Sequence, residues 1–343
     1  MAEVYFKHGQ TLLDLKMTNI DSYDEKRIYF GCPFYGSPTA DETGDIILPY
    51  EKIMIIDSNI TSFIRKRANI QSTKALLEWS YANNVKATPI IAVAEQFVSH
   101  GDPEYAFNEL LDELTNYYKV PVVQSKVSEL ISLYKERTPF LKKNAETFAD
   151  FLVIAKSIYR EKGDSKQKIK RFTEIIIERD LPRLSFCFFA VCTFLHAKEN
   201  RNKLAENLIK KIDQDMSFKG ERSKEEQKLI NLASDMLLFH SATEILFDKS
   251  SGRLNIAIIA STDITVGYLL KEICYGQVTQ KNNGCWGHCG LRPGGYAYRD
   301  LFSFIEEVYP KREVTNFEIN PESIQRNNLR KVAEEILNKQ FTS

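Results

Sequence analysis

Four acidic residues occur in sequence contexts where carboxylates commonly bind metal ions. Asp57 and Asp263 each follow closely on an apolar run rich in β-branched residues, the pattern of a strand buried on both faces. Ligands of open α/β sheets gather beyond the carboxyl ends of the strands, so we expect these two acids to share a site. Glu95 and Asp235 lie inside apolar helical stretches, where an ionised carboxylate needs a partner, a proton or a cation.

The chemistry that fits four such acids is metal-dependent hydrolysis. Oxygen ligands without a histidine or cysteine cluster favour Mg²⁺ or Mn²⁺ over zinc. Such ions lower the pKa of bound water and stabilise the charge that grows on a phosphate, without a covalent enzyme intermediate. The four acids would be the metal ligands and catalytic residues. Two polar neighbours would position a ligand or the scissile phosphate: Asn59 and Thr262.

Each acid also has a structural interpretation. Asp57 could cap the helix that follows its strand, and Asp263 could begin a helix in the same way, because aspartate is a favoured N-cap residue. Glu95 could pair with an arginine or lysine. Asp235 could face solvent, although apolar residues on both sides of it place it on or beside a buried stripe.

The composition indicates a globular protein rather than a disordered or architectural one. The chain has 343 residues, 43% hydrophobic and 27% charged, with 46 basic and 46 acidic side chains. A net charge of zero provides no overall field for a polyanion, which argues against a histone-like binder. No apolar run approaches the roughly 20 residues that cross a bilayer, and the N-terminal residues lack a signal-peptide pattern. Six scattered cysteines indicate reduced thiols, so we expect no membrane association and a cytoplasmic location.

The order of patterns along the chain predicts an α/β core interrupted by helices. Apolar strands are expected at 52–57 and 254–261, and a capping box at 223–226 opens a helix before the second of them. Further helices are expected from Thr88-Pro89, from Pro103, at 300–308 and from Asn320-Pro321, with a short strand at 314–319. The predicted organisation is an N-terminal β-rich extension (1–50), a core (51–124 and 222–320), a helical insertion (125–221) and a C-terminal helix (321–343).

Four short segments resemble motifs of the PIN-domain nucleases. Segment 55–59 (Ile-Ile-Asp-Ser-Asn) is similar to the family's first-strand motif, and segment 90–95 (Ile-Ile-Ala-Val-Ala-Glu) to the helix that supplies its second acid. Segment 233–242, with Asp235 and Ala242, is similar to the family's helical Asp-apolar-apolar-Ala motif, and segment 258–263 to its strand ending near Thr-x-Asp. The resemblance covers about half of the chain, and the 140 positions between Glu95 and Asp235 are attributed to the helical insertion.

This resemblance implies a PIN-like three-layer fold with a central, mostly parallel sheet, and a nuclease that hydrolyses phosphodiester bonds with Mg²⁺ or Mn²⁺. The preference for RNA over single-stranded DNA comes from the resemblance alone. Two other classes remain open. One is a non-catalytic scaffold or partner-binding protein, and the other is a nucleotide phosphohydrolase that uses the same carboxylates.

Basic and aromatic residues outside the acids offer candidate contacts to nucleic acid. Arg65, Lys66 and Arg67 could contact a phosphate backbone or form a solvated helix face. The segment 282–299 is predicted to be a glycine-rich loop. It combines stacking faces with cations suited to single-stranded nucleic acid, unless its aromatic residues simply pack over the sheet edge. The loop residues expected to bind substrate are Trp286, Arg292 and Arg299.

Two remaining features concern other chemistry and partners. Cys285, His288 and Cys289 could ligate zinc, but only three ligands are local and their spacing matches no known finger or ribbon. No histidine has a serine or cysteine at an informative spacing, so a nucleophilic triad is not predicted. The helical insertion could mediate self-association or bind a regulatory protein.

Overall fold

The computed structural model describes residues 2–7, 16–17, 26–89, 92, 103–123, 126–247, 253–281, 284–309 and 321–342. The described chain is a mixed α/β protein with eleven α-helices and two sheets, which confirms the predicted α/β class. It divides into two compact units. The first comprises Met1–Leu141 and Leu237–His288, and the second comprises Lys142–Met236 and Cys289–Ser343.

A five-stranded, partly parallel sheet lies in the first unit. Across the sheet its strands are β2 (Lys16–Met17), β3 (Tyr29–Gly31), β7 (Leu254–Ser261), β5 (Tyr50–Ile56) and β6 (Val85–Thr88). β5 pairs in parallel with both β6 and β7, while β3 is antiparallel to β7 and to β2. The chain therefore leaves β5 towards β6 on one side and returns as β7 on the other side. Such a reversal of strand order opens a crevice at the carboxyl ends of the strands.

The two central strands have the burial that their sequences predict. Residues 53–56 of β5 and 256–260 of β7 are all at most 4% exposed. Continuous burial of this kind arises when both faces of a parallel sheet are covered. The strands expected at 52–57 and 254–261 are thus confirmed.

Helices cover both faces of this sheet. On one face, Met54, Ile56 and Ile258 form a core with Ile60 and Leu76. The helices on this face are α1 (Ser58–Lys66), α2 (Ile70–Ala82) and α3 (Pro103–Asp112), which continues as a π-helical turn over Glu113–Tyr117. Helix α9 (Ile264–Glu272) packs against β3 and β7 on the other face, where Gly267 meets the ring of Tyr29.

A second sheet in the described chain has the strand order β4 (Ser37–Thr39), β1 (Ala2–Lys7), β8 (Ile273–Lys281) and β9 (Gly284–Leu291). β1 is antiparallel to β4 and β8. The N-terminal region predicted as an extension therefore contributes strands to both sheets, because its alternating apolar side chains, such as Val4 and Phe6, are buried. The loop predicted over 282–299 is wrong in part, since β9 and the start of a helix at Tyr296 occupy most of it.

The second unit is helical. It contains α5 (Ser165–Glu178), α6 (Ser185–Ala197), α7 (Glu206–Asp215), α10 (Tyr296–Val308) and α11 (Pro321–Thr342), together with parts of α4 (Val127–Tyr159) and α8 (Arg222–Ile245). Residues 142–221 of the predicted insertion and the C-terminal helix α11 thus belong to this unit, whereas the part of the predicted insertion up to Leu141 belongs to the first unit. Among the described helices, none is both long and apolar enough for a bilayer span.

Candidate metal site at the carboxyl ends of β5 and β7

Asp57 lies at the end of β5 and caps helix α1. Its Oδ1 atom accepts a hydrogen bond from the backbone N–H of Ile60 at 2.8 Å. Its Oδ2 atom accepts one from the Ser261 hydroxyl at 2.5 Å and one from the backbone N–H of Thr262 at 3.2 Å. The side chain is 6% exposed. Asp57 is therefore a buried carboxylate held by two donors at the end of β7 and by one from the following helix.

Asp263 follows the end of β7 by two residues and caps α9, as Asp57 caps α1. Its Oδ1 atom accepts from the backbone N–H of Thr265 at 2.6 Å, and its own N–H donates to the Ser261 hydroxyl oxygen at 3.0 Å. Ser261 thus donates to one acid and accepts from the backbone of the other. The helix-capping interpretation of both aspartates is confirmed. Because β5 and β7 are parallel neighbours, the two aspartates lie at the same edge of the sheet.

The electrostatics of this edge disfavour two bare negative charges. Burial raises the pKa of Asp57 above its usual value, and the hydrogen bonds from Ser261, Ile60 and Thr262 offset part of that rise. The negative charge of Asp263 raises the pKa of Asp57 further. A cation between two such carboxylates would lower the free energy of the ionised pair, because it replaces like-charge repulsion by attraction.

The donor set at this edge fits Mg²⁺ or Mn²⁺. Mg²⁺ is usually held by one or two carboxylates together with water and substrate phosphates, and Asp57 and Asp263 supply two. The Thr265 hydroxyl is also buried and makes no hydrogen bond in the described part of the chain. No group of three or more histidine, cysteine, aspartate or glutamate side chains that could hold a metal occurs within the described residues. The described residues thus offer a two-carboxylate site.

The other two predicted acids have different outcomes. Glu95, and most of the helix predicted from Thr88-Pro89, lie outside the residues that the structure describes. Asp235 lies on α8, is half-buried, and belongs to the second unit. The convergence of all four acids therefore stays a prediction.

Asn59 and Thr262 both lie beside the acid pair. Asn59 is exposed in the first turn of α1, directly after the Asp57 cap. Thr262 is half-buried, and its backbone N–H already fixes Asp57. Sequence reasoning identified both positions but not the backbone contact of Thr262, which depends on the pairing of β5 with β7.

The basic residues 65–67 lie at the opposite end of α1 from Asp57, about 13 Å away along a nine-residue helix. The Arg65 guanidinium pairs with Glu109 at 3.0 Å, and Arg67 pairs with Glu113 at 2.8 Å. These ion pairs join α1 to α3 and its π-helical turn. Lys66, between the two arginines, is exposed.

Two of the predicted loop residues occupy regular structure instead, Trp286 on β9 and Arg299 on the helix that begins at Tyr296, whereas Arg292 lies between these two elements. Trp286 is 40% exposed on β9, in the second sheet. Arg292 is 7% exposed, and the Arg299 guanidinium lies 5.0 Å from the centre of the Tyr296 ring. The burial of Arg292 and the packing of Arg299 on Tyr296 give both arginines contacts within the protein.

The strand conformation of β9 also bears on the zinc hypothesis. Successive side chains of a strand point to opposite faces, so Cys285 and His288, three positions apart, face opposite ways. They are therefore poorly placed to ligate one ion. The zinc alternative has no geometric support on this strand.

Sequence reasoning missed a polar cluster in the second unit. His196, 3% exposed, lies with Nδ1 3.2 Å from the Ser165 hydroxyl and Nε2 3.1 Å from an Asp300 carboxylate oxygen. The same hydroxyl donates to Glu199 at 2.8 Å, and Ser165 is 2% exposed. This cluster contains the residue types of a nucleophilic triad, but its serine is buried and its proton is directed to Glu199. We interpret the cluster as a set of structural hydrogen bonds that joins α5, α6 and α10.

Comparison of the chain with protein-family models, with curated proteins and with solved structures found no match. The arrangement of side chains at the carboxyl ends of β5 and β7 is consequently the basis for a functional assignment. Its distinguishing features are a buried aspartate, a neighbouring aspartate and a shared serine.

Proposed function

We propose that this protein is a PIN-like, metal-dependent nuclease that hydrolyses phosphodiester bonds, with single-stranded or structured RNA as its substrate. The observation that carries the proposal is the pairing of Asp57 and Asp263 at the point where the strand order of the sheet reverses. The preference for RNA follows from the resemblance of the motifs to PIN-domain nucleases.

In this proposal Asp57 and Asp263 hold Mg²⁺ or Mn²⁺, while Ser261 and the backbone of Thr262 keep Asp57 in place. A bound ion would acidify water and neutralise charge on the phosphate. The exposed Asn59 and the Thr262 hydroxyl would contact the phosphate or its water. Glu95 and Asp235 stay predicted further ligands.

Not all of the basic and aromatic residues predicted from the sequence are proposed to contact the substrate. Arg65 and Arg67 are left out of the substrate contacts because Glu109 and Glu113 already pair with them. Contacts from Lys66, Trp286, Arg292 and Arg299 stay predictions from the sequence. Partner binding through the helical insertion and a cytoplasmic location are also part of the proposal, and the six free cysteines support a reducing compartment.

A second candidate is a non-catalytic scaffold, and the observation that favours it is that both aspartates already cap helices. The substitution Asp263→Asn separates the two functions. Asparagine caps a helix about as well as aspartate, so the fold should persist, but the substitution removes a metal-binding charge. The matched control is Asp164→Asn, because Asp164 caps α5 in a capping box and has no predicted role in the site.

The experiment measures cleavage of a fluorescent single-stranded RNA in Mn²⁺, with a matched DNA strand and a mononucleotide in parallel. The proposal expects cleavage by the wild type and by Asp164→Asn, and a loss of at least about 100-fold in Asp263→Asn. Equal activity in Asp263→Asn, or no hydrolysis by the wild type, would contradict it. Hydrolysis of the mononucleotide alone would assign the site to a nucleotide phosphohydrolase.

A further inference from the structure

Tyr29 begins β3, the strand next to β7, and Arg27 precedes it by two residues, at the same edge as the two aspartates. Tyr29 pairs directly with Ser261 in the antiparallel ladder of β3 and β7. Arg27 lies two residues before Tyr29, and Asp263 lies two residues after Ser261, where the chain has left β7 and begins α9. Both residues therefore flank the Tyr29–Ser261 pair at the same edge of the sheet.

The two side chains share one face of their segment. Ile28 and Phe30 point into the core under α1 and α2, so the alternation of an extended chain directs Arg27 and Tyr29 to the other face. On that face α9 closely approaches the tyrosine. A Cβ atom on Gly267 would lie 2.6–3.1 Å from atoms of Tyr29, so only glycine allows this approach.

The charges around Tyr29 agree with this placement. Burial raises the pKa of Tyr29, the positive charge of Arg27 opposes that rise, and the negative charge of Asp263 adds to it. The charges of both the arginine and the aspartate therefore act on the Tyr29 phenol. Arg27 is exposed, and it forms no ion pair or side-chain hydrogen bond with another described residue.

We propose that Arg27 binds a phosphate of a single-stranded nucleic acid at this site and that Tyr29, held by Gly267, is a positioning residue for that contact. This inference rests on the proposed nuclease function. Two carboxylates repel a polyanion, and a cation beside them reduces this repulsion where the phosphate must approach. A guanidinium can also donate two parallel hydrogen bonds to phosphate oxygens.

A purely structural role for Arg27 would give different measurements. If Arg27 only balanced the charge of Asp263, its removal would alter Mn²⁺ affinity and leave the salt dependence of RNA binding unchanged. If Arg27 contacts phosphate, its removal weakens RNA binding, reduces the slope of log affinity against log salt by about 1, and leaves Mn²⁺ affinity close to that of the wild type.

The test compares the full-length wild type with Arg27→Gln, Arg27→Lys and the matched control Arg171→Gln, which removes an exposed arginine of α5. Mn²⁺ affinity is measured by calorimetry, and kcat and KM are measured on a 12-nucleotide RNA at several salt concentrations. We expect kcat/KM of Arg27→Gln to fall about 10- to 100-fold with a reduced salt slope. Arg27→Lys should recover part of the loss, and Arg171→Gln should match the wild type.

The role of Tyr29 is tested with Gly267→Ala and Tyr29→Phe. The added methyl group displaces the tyrosine ring without removing it, so Gly267→Ala should raise KM, whereas Tyr29→Phe keeps the packed ring and should change KM less. Equal kinetics in Arg27→Gln and Arg171→Gln, or an altered Mn²⁺ affinity with an unchanged salt slope in Arg27→Gln, would overturn this inference while the wild type still cleaves RNA. A wild type that neither binds Mn²⁺ nor cleaves RNA would instead refute the proposed function on which the inference depends.

Discussion

Truncation of Asp57 should destabilise the first unit more than truncation of Asp263, although both residues cap helices. Asp57→Ala removes the cap of α1, which costs about 1 kcal/mol. It also leaves the Ser261 hydroxyl and the Thr262 N–H without the acceptor that both now use, at about 1 kcal/mol or more each. Relief of carboxylate burial, which raises the pKa of Asp57, offsets part of this loss. The expected net loss is about 2–3 kcal/mol.

The corresponding loss for Asp263→Ala is about 1 kcal/mol, which is the value of its cap on α9. Urea unfolding followed by the fluorescence of Trp79 measures both variants, since Trp79 packs against the core of the first unit. The chain has two tryptophans, so a Trp286→Phe background leaves Trp79 as the only indole probe. Equal losses of stability in the two variants, or a loss below about 0.5 kcal/mol for Asp57→Ala, would refute the conclusion that the hydrogen bonds accepted by Asp57 stabilise this edge of the sheet.

Two further predictions concern the second unit. Burial raises the pKa of Asp150 to about 6 despite its contact with Arg330, so the native state binds its proton more tightly than the unfolded state does. Stability should therefore fall by on the order of 2 kcal/mol as pH rises from about 4 through 6, and pH-dependent denaturant titrations of Asp150→Asn should lack this fall. Lys156 and Glu225 form an ion pair with both side chains 0% exposed. Glu225→Gln should lower the free energy of unfolding by about 3–5 kcal/mol, measured by thermal or urea unfolding, because it leaves a buried charge without its partner. The double variant Lys156→Met, Glu225→Leu should recover most of this stability. A double variant as unstable as the single one would contradict this reasoning.

The central strands of the fold could be predicted because their sequences leave little choice. Uninterrupted apolar runs such as those of β5 and β7 have no polar face to expose, so they must be covered on both sides. β6 has only four residues, including Lys86, and β9 is rich in glycine and cysteine, so neither carries a periodic signal. Which helices share a core also could not be read from the sequence, since helical periodicity does not identify the neighbour of a buried face.

The sequence predicts only those site residues that closely follow a recognisable strand. Asp57 and Asp263 follow strands that the pattern identifies, and parallel pairing then brings them to one edge. Ser261 and Tyr29 join the same edge through the register of β7 with its neighbours. That register pairs positions 232 apart in sequence (261 − 29), which no local pattern specifies.

The most direct test of the central claim is a calorimetric titration of Mn²⁺ into the wild type, Asp263→Asn and Asp164→Asn. If Asp57 and Asp263 form a metal site, the wild type and Asp164→Asn should bind Mn²⁺ with equal affinity, and Asp263→Asn should bind it at least about tenfold more weakly. Absence of Mn²⁺ binding in the wild type, or equal affinity in Asp263→Asn, would contradict the claim and leave the two aspartates as helix caps alone.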